Sequence, residues 1–233
     1  MSTFVHRYEL DTSRPSAREF WRDVGLRAFA PAVLVFGVIV GLGFLITGPL
    51  DNLPDEKAVN DWFVEHRTPV LSDVTAVIGQ VGNTPIVIAI AFAVMITLLV
   101  RTRQWWFALI PGLAIGLQAA IFLSSSLVVA RERPEVDHLD DAPPTSSYPS
   151  GHTGASTALY VTLALVAQRI SNRPLRVVVT VLLLAAPLAM GSARLYRGMH
   201  SLSDVLVGLA NGIVCALLAW NYLRRDVRAT PTG

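Results

Sequence analysis

The chain has 233 residues, of which 52% are hydrophobic and only 15% are charged, with a formal net charge of +2 and a pI near 9.0. Soluble globular domains carry about 25% charged residues, so this composition excludes an ordinary soluble domain and indicates a protein whose main solvent is lipid. The small net charge argues against a nucleic-acid partner, and the single cysteine, Cys215, excludes a disulfide or a cysteine-built metal site within one chain.

Residues 1–27 are polar, of mixed charge and rich in arginine. They are too long and too acidic for the first part of a secretory signal, and we interpret them as a cytoplasmic arm. Six apolar segments follow, each interpreted as a membrane span because a helix needs roughly 20 apolar residues to cross the hydrocarbon core. These segments are residues 28–50, 84–100, 107–130, 151–168, 177–193 and 204–223.

The polar stretch between the first two spans carries apolar residues at helical spacing, such as Val59 with Phe63 and Val70 with Val74. This spacing predicts two short amphipathic helices at the membrane interface. The predicted fold is therefore all-α: a polytopic membrane protein with six transmembrane helices and short interfacial helices between the first and second spans. The predicted divisions are the cytoplasmic arm 1–27, a six-helix membrane domain 28–223 and a cytoplasmic tail 224–233.

Six spans place both termini on one side of the membrane. Thirteen of the 19 lysines and arginines fall in the arm, the tail and the two turns on that side, and six fall on the other. The side richer in positive charge is the cytoplasmic one. The loops that follow the third and fifth spans are therefore expected on the outer face of the membrane.

The segment Pro149-Ser150-Gly151-His152 stands where a polar loop becomes a helix. Ser150 is a favoured N-cap, and Gly151 lets a ligand approach the backbone closely. A helix start with free N–H groups is a ready anion site. The alternative is an ordinary capped helix in which His152 merely faces water.

Arg194, His200 and Asp204 form a second group, with His200 and Asp204 one helical turn apart. A carboxylate at the start of a span is costly without a partner, so we predict that Asp204 hydrogen-bonds and orients His200. The alternative is a simple helix-start carboxylate. Two arginines suit phosphoryl oxygens, and two histidines can serve as nucleophile and general acid. The pattern predicts a phosphate-ester site at a membrane surface.

Arg133-Pro134 is the third group, and it can alternatively be read as a helix end. The same loop holds several acidic residues that offer salt-bridge partners to the arginines. His138 with Asp137, Asp140 and Asp141 also resembles a metal cluster, but its spacing matches no defined ligand motif, so no metal is predicted.

These three blocks resemble the phosphatase motif of the type 2 phosphatidic acid phosphatase superfamily. That motif reads Lys, six residues, Arg-Pro; then Pro-Ser-Gly-His; then Ser-Arg, five residues, His, three residues, Asp. The resemblance implies that His200 attacks phosphorus, that His152 protonates the leaving oxygen and that Asp204 orients His200. It implies a phosphate cradle made of Arg133, Arg194, Ser150 and Gly151.

Two positions depart from that motif. Ser126 stands where the family has lysine, and Ala193 where it has serine. A nearby arginine can replace the missing lysine charge, and Arg131 and Arg197 are the candidates. The departures bear on substrate range more than on activity, because both histidines and the aspartate are kept.

The function expected from the resemblance is a metal-independent, cofactor-free lipid phosphatase of a bacterial inner membrane that works through a phosphohistidine. Its expected partners are a lipid phosphate and membrane lipids; phosphatidate, phosphatidylglycerol phosphate and polyprenyl diphosphates such as undecaprenyl diphosphate remain open. The alternatives are a lipid phosphotransferase with the same intermediate and a non-catalytic binder or transporter of lipid phosphates. A vanadate-dependent haloperoxidase shares the motif, but the six apolar spans argue against it.

Overall fold

A computed structural model describes residues 4–142 and 144–223, and within those ranges the chain is helical and has no strand. The helices are α1 Arg7–Leu10, α2 Ala17–Val24, a π-helical turn Gly25–Phe29, α3 Ala30–Thr47, α4 Asp55–Glu65, α5 Pro69–Val81, α6 Thr84–Thr102, α7 Trp105–Ala108, α8 Ile110–Val129, α9 Gly151–Ala167, α10 Arg173–Tyr196 and α11 Leu202–Trp220.

Five helical stretches in the described part of the chain are long and apolar enough to cross a membrane. They are Ala17–Thr47, Thr84–Thr102, Trp105–Val129, Arg173–Tyr196 and Leu202–Trp220. Each coincides with one of the segments predicted from hydropathy. The fold is therefore an all-α bundle of a polytopic membrane protein.

The first of these helices begins eleven residues before the predicted arm boundary at residue 28. Ser16 starts it with a capping box, in which its hydroxyl accepts from the Glu19 N–H and Glu19 Oε2 accepts from the Ser16 N–H at 2.9 Å. The π-helical turn then joins α2 to α3 without a break. A capping box fixes a helix start more strongly than a change in composition does, so the helix includes residues assigned to the arm.

The remaining predicted span corresponds to α9, which has 17 residues and lies at the centre of the bundle against α8, α10 and α11. Its length is about 26 Å at 1.5 Å per residue. Several of its buried residues are polar, and they return hydrogen bonds to the helix itself: Thr157 to the Thr153 carbonyl at 2.6 Å and Thr162 to the Ala158 carbonyl at 2.7 Å. Burial among other helices removes these hydroxyls from water, so each is satisfied within the helix.

Two glycines one turn apart, Gly208 and Gly212, let α11 approach α9 closely. A Cβ at Gly212 would lie 2.4 Å from the Thr157 Cβ and 2.5 Å from the Gly154 carbonyl oxygen. A Cβ at Gly208 would lie 2.7 Å from the carbonyl oxygen of Ser150. Small residues at this spacing are the usual device for close helix packing in membranes, and here they bring the starts of α9 and α11 together.

The stretch between the first two spans forms two helices, α4 and α5, and two helices were predicted there. Helix α5 packs against α10, and α4 packs against α10 and α11. Their position at a membrane interface stays a prediction. At the opposite end of the bundle, the α1 residue Tyr8 is buried, stacks on Phe107 and donates to the carbonyl of Trp220 at 3.0 Å. The tail predicted for residues 224–233 lies outside the described residues.

Candidate active site

Five of the residues singled out in the sequence line one cavity. The cavity has a volume of about 270 Å³ and lies between α6, α8 and α9 at the end of the bundle where α9 and α11 begin. His152, His200, Arg133 and Arg194 face it together with Gly151. Its remaining wall is mostly apolar and includes Val87, Ile88, Ile115, Phe122 and Leu123. One cavity therefore combines a polar, cationic end with an apolar wall.

His200 is buried in the loop between α10 and α11, with its ring held by a backbone group. Its Nδ1 lies 2.8 Å from the carbonyl oxygen of Ser147. Because a carbonyl can only accept, the proton sits on Nδ1 and Nε2 keeps its lone pair. Burial lowers the pKa of His200 below its ordinary value, against the opposing effect of the Asp204 carboxylate. The ring is therefore kept neutral and presents a nucleophilic nitrogen.

Asp204 is fully buried and has several partners. Its Oδ1 accepts from Nη1 of Arg131 at 2.7 Å, and its Oδ2 accepts from the Ser201 N–H at 2.8 Å and from the hydroxyl of Ser147. The distance from Oδ2 to Nδ1 of His200 is 3.7 Å. That is too long for a hydrogen bond, so the direct His200–Asp204 hydrogen bond predicted from the sequence is not formed. Asp204 therefore acts on the ring electrostatically across 3.7 Å, and Ser147 connects the two residues by hydrogen-bonding to each of them.

Arg194 and Arg197 share Asp140, an acidic residue of the long loop after α8. Asp140 Oδ2 accepts from Arg194 Nη1 at 2.9 Å and from Arg197 Nε at 2.8 Å, and Oδ1 accepts from Arg197 Nη2 at 2.6 Å. Partial burial raises the pKa of Asp140, but the two arginines outweigh it and leave the pKa below its ordinary value. Asp140 therefore stays ionised and holds the guanidinium of Arg194 at the cavity.

Arg197 does not line this cavity. Its other bonds go to the carbonyls of Ser72 at 3.0 Å and Leu139 at 2.8 Å, which tie α5 and the loop to the end of α10. The prediction that Arg197 replaces the missing lysine charge is therefore not supported by its position.

Arg133 is held by two backbone carbonyls, that of Met199 at 2.7 Å and that of Thr145 at 3.2 Å. Burial lowers its pKa from the ordinary arginine value, opposed by Asp204. Its side chain also faces a second, more polar cavity of about 540 Å³, formed by the loop after α3, the start of α4 and the loop after α8. Arg133 therefore lies on the boundary between the two cavities.

Ser150 and Gly151 occupy the N-cap and first position of α9, as predicted. The Ser150 hydroxyl is buried and pairs with the hydroxyl of Thr153 at 2.9 Å rather than capping the helix, and Ser150 does not line the cavity. Its N–H donates to the carbonyl of Asp204 at 2.9 Å, which joins the starts of α9 and α11. Gly151 does line the cavity, and a Cβ there would lie 2.7 Å from the Phe122 ring. The glycine is required by this close packing.

Arg131, the other candidate for the missing positive charge, lies behind Asp204 instead of in the cavity. Its guanidinium bonds Asp204, Ser203 at 2.7 Å, the Asn52 carbonyl at 2.8 Å and Glu56 at 3.1 Å. Ser126, at the family lysine position, accepts from the N–H of Ser146 at 3.1 Å. Ser126, which replaces the family lysine, therefore anchors the loop that carries Ser147.

Three residues that contact His200 or the segment following it were not predicted from the sequence: Ser147, Glu56 and Asn60. Glu56 and Asn60 are four residues apart on α4, so they lie on one face of that helix. That spacing was a usable signal for a buried polar face. Ser147 gave no signal, because it precedes the recognised motif in a serine-rich loop.

The described residues, 4–142 and 144–223, contain no group of three or more His, Cys, Asp or Glu side chains arranged to hold a metal ion. His138, named above in a possible cluster, instead lies with Nε2 3.0 Å from the carbonyl of Pro134.

The fold and the site together define a class of protein: an all-α membrane bundle with a cavity at one end that is lined by histidines and arginines. The chain belongs to the PAP2 superfamily, whose sequence profile matches residues 107–228. No curated protein matches the sequence significantly.

Two solved structures share the fold. The transmembrane PAP2-type phosphatidylglycerolphosphate phosphatase from Bacillus subtilis is similar with a TM-score of 0.69 and 21% identity, over 82% of this chain and 92% of that one. LpxE from Aquifex aeolicus is similar with a TM-score of 0.56 and 22% identity, over 70% of this chain and 92% of that one.

Proposed function

We propose that this protein is an integral membrane phosphatase that hydrolyses a phosphate monoester or diphosphate of a lipid through a phosphohistidine. The observation that carries the proposal is the single cavity that joins His152, His200, Arg133 and Arg194 to an apolar wall. A phosphate bound at the arginines would lie beside both imidazoles, and a lipid tail would lie along the apolar side chains. The family and the similar phosphatidylglycerolphosphate phosphatase support the same chemistry.

The reaction has two displacements. Nε2 of His200 attacks phosphorus, the bond from phosphorus to the leaving oxygen breaks, and protonated His152 gives its proton to that oxygen. Neutral His152 then takes a proton from water, whose oxygen attacks phosphorus while the phosphorus–nitrogen bond breaks. Arg133 and Arg194 stabilise the charge on the phosphoryl oxygens in both steps. Fixed cations supply this stabilisation, so no metal is needed.

Phosphate release tests this proposal. The purified protein is assayed in detergent with EDTA on phosphatidate, phosphatidylglycerol phosphate and undecaprenyl diphosphate, alongside the variants His200→Ala and His152→Ala. His66→Ala is the matched control, because His66 is exposed at the end of α4 and does not line the cavity. We expect release by the wild type and the control and a loss in both site variants. Near-full activity in either site variant would show that the roles are wrongly assigned.

The same assay separates a phosphotransferase from a hydrolase. A transferase would release little phosphate until a lipid or sugar alcohol is added as acceptor. A non-catalytic binder would retain lipid phosphate without turnover.

We further propose that α9 is the sixth span, packed against α6, α8, α10 and α11, and that the site opens away from the cytoplasm in a bacterial inner membrane. The excess of lysine and arginine at the opposite end of the bundle supports this orientation. Single cysteines test it, because the native Cys215 is fully buried. An impermeant maleimide should label Glu135→Cys on intact cells and Arg103→Cys only after permeabilisation; the reverse pattern would invert the topology.

A further inference from the structure

Helix α4 places two side chains against the turn that carries His200. Glu56 Oε1 accepts from the backbone N–H of Ser203, and Oε2 accepts from the Ser203 hydroxyl at 2.9 Å. Asn60 is 1% exposed, and its Nδ2 donates to the carbonyl of His200 at 3.1 Å. One helix face therefore fixes both ends of the segment from His200 to Ser203.

Glu56 is also linked to Asp204 through a buried arginine. Arg131 bonds Asp204 Oδ1 at 2.7 Å and Glu56 Oε2 at 3.1 Å, and both the arginine and Asp204 have nearly no exposed surface. Arg131 alone would cancel the negative charge of Asp204. With Glu56 included, the three groups carry one net negative charge beside His200.

That residual charge matters for the proposed intermediate. A histidine phosphorylated on Nε2 and protonated on Nδ1 carries a positive charge on its ring. A net negative group behind the ring stabilises this species relative to the neutral imidazole, and the interaction is strong because the site is buried.

We propose that Glu56 and Asn60 are positioning residues for His200, with Glu56 acting through Arg131 and Asp204 and Asn60 acting through the His200 backbone. The inference rests on the proposed function, because it assigns α4 a role in forming the phosphohistidine. It makes the segment between the first two spans a part of the catalytic apparatus, although no side chain of α4 lines the cavity that holds the two histidines.

The test compares Glu56→Gln and Asn60→Leu with wild type and with Asp61→Asn. Asp61 is the matched control, because it is on the same helix and pairs with Lys57 at 2.7 Å on its exposed side. Steady-state kcat and KM are measured on the preferred lipid phosphate, phosphoenzyme formation is followed by rapid acid quench, and thermal unfolding is recorded in the same detergent.

We expect Glu56→Gln to lower kcat and the rate of phosphoenzyme formation by about ten- to hundredfold, the range for losing a hydrogen bond to a charged group. KM should stay near that of wild type, because the arginines of the cavity are untouched, whereas the unfolding temperature should fall, because Arg131 loses one of its two buried ionic partners. Asn60→Leu should lower the same rates by a smaller factor, and Asp61→Asn should leave them unchanged.

A Glu56→Gln variant with wild-type kcat would overturn the inference. If Glu56→Gln unfolds at a lower temperature, Asn60→Leu decides, since it leaves the Glu56 contacts in place: lower rates at the wild-type unfolding temperature support the inference, and unchanged rates overturn it. An inactive wild type, or an active His200→Ala variant, would instead refute the proposed function and the inference with it.

Discussion

His200 and Asp204 lie one helical turn apart without sharing a hydrogen bond, at 3.7 Å between Nδ1 and Oδ2. Ser147 bridges them: its carbonyl accepts from His200, and its hydroxyl donates to Asp204. The Asp204 carboxylate forms its ion pair with Arg131 instead, at 2.7 Å. Asp204 is both the negative charge beside His200 and the partner of a buried guanidinium, so a substitution there affects stability as well as activity.

Asp204→Asn should destabilise the protein by less than the loss of about 3–5 kcal/mol that is usual when a buried charge loses its only partner, because Arg131 keeps its ion pair with Glu56 at 3.1 Å. It should also lower kcat strongly, because the charge beside His200 is lost. Thermal unfolding and phosphate release in the same detergent measure the two effects. Unfolding at the wild-type temperature would contradict the assignment of Arg131 as a buried partner of Asp204.

Arg133→Lys and Arg194→Lys should each reduce kcat/KM by about ten- to hundredfold, because a lysine cannot bond its anchor and a phosphoryl oxygen through one planar fork. Arg133 is anchored on carbonyls and Arg194 on Asp140. The control is Arg67→Lys, since Arg67 bonds the Asp137 carbonyl at 2.7 Å and does not line the cavity. Equal losses in all three variants would show a general effect of arginine replacement.

The pH dependence of kcat/KM should report the lowered pKa of His200. Only the neutral ring is nucleophilic, so activity is lost as the pH falls through the folded pKa, which lies below the ordinary value of about 6.5. The matching stability term is present above the unfolded value and is lost as the pH falls through the folded pKa. An acid limb centred above 6.5 would show that the Asp204 carboxylate outweighs the effect of burial on the ring.

Gly212→Ala should lower the free energy of unfolding by about 1–3 kcal/mol, the usual cost of overpacking, because the new Cβ would lie 2.5 Å from a backbone carbonyl of α9. Gly116→Ala is the matched control in α8, where nothing lies within 4 Å of the added Cβ. The control should unfold at the wild-type temperature or slightly above it, since alanine favours a helix more than glycine does. Similar losses in both would argue against a close α9–α11 contact.

Hydropathy located the long helices, because each presents an apolar surface through the hydrocarbon core, but it missed the polar first turns of the helix that begins at Ala17. It also placed α9, predicted over 151–168 and observed over Gly151–Ala167, although Thr157 and Thr162 bury hydroxyls there that bond the helix itself. Motif spacing located His152, His200, Arg133 and Arg194, and these do share a cavity.

Contacts between residues far apart in the sequence could not be predicted from motif spacing. Glu56 contacts residues that lie 75 and 147 positions away, and Asp140 meets Arg194 across 54 positions. Arg131 illustrates the limit: its charge was recognised, but only the fold shows that Asp204 and Glu56 use it. Local patterns predict which residues are polar at a helix end, whereas the packing of distant segments decides what each of them contacts.

Arg133 faces the apolar-walled cavity on one side and the larger polar cavity on the other. The two cavities therefore meet at a partition that includes Arg133, whose guanidinium is held in place by two carbonyls. Under the proposed function, phosphate released at this partition would be adjacent to the polar cavity and would not need to leave along the apolar wall by which a lipid would arrive.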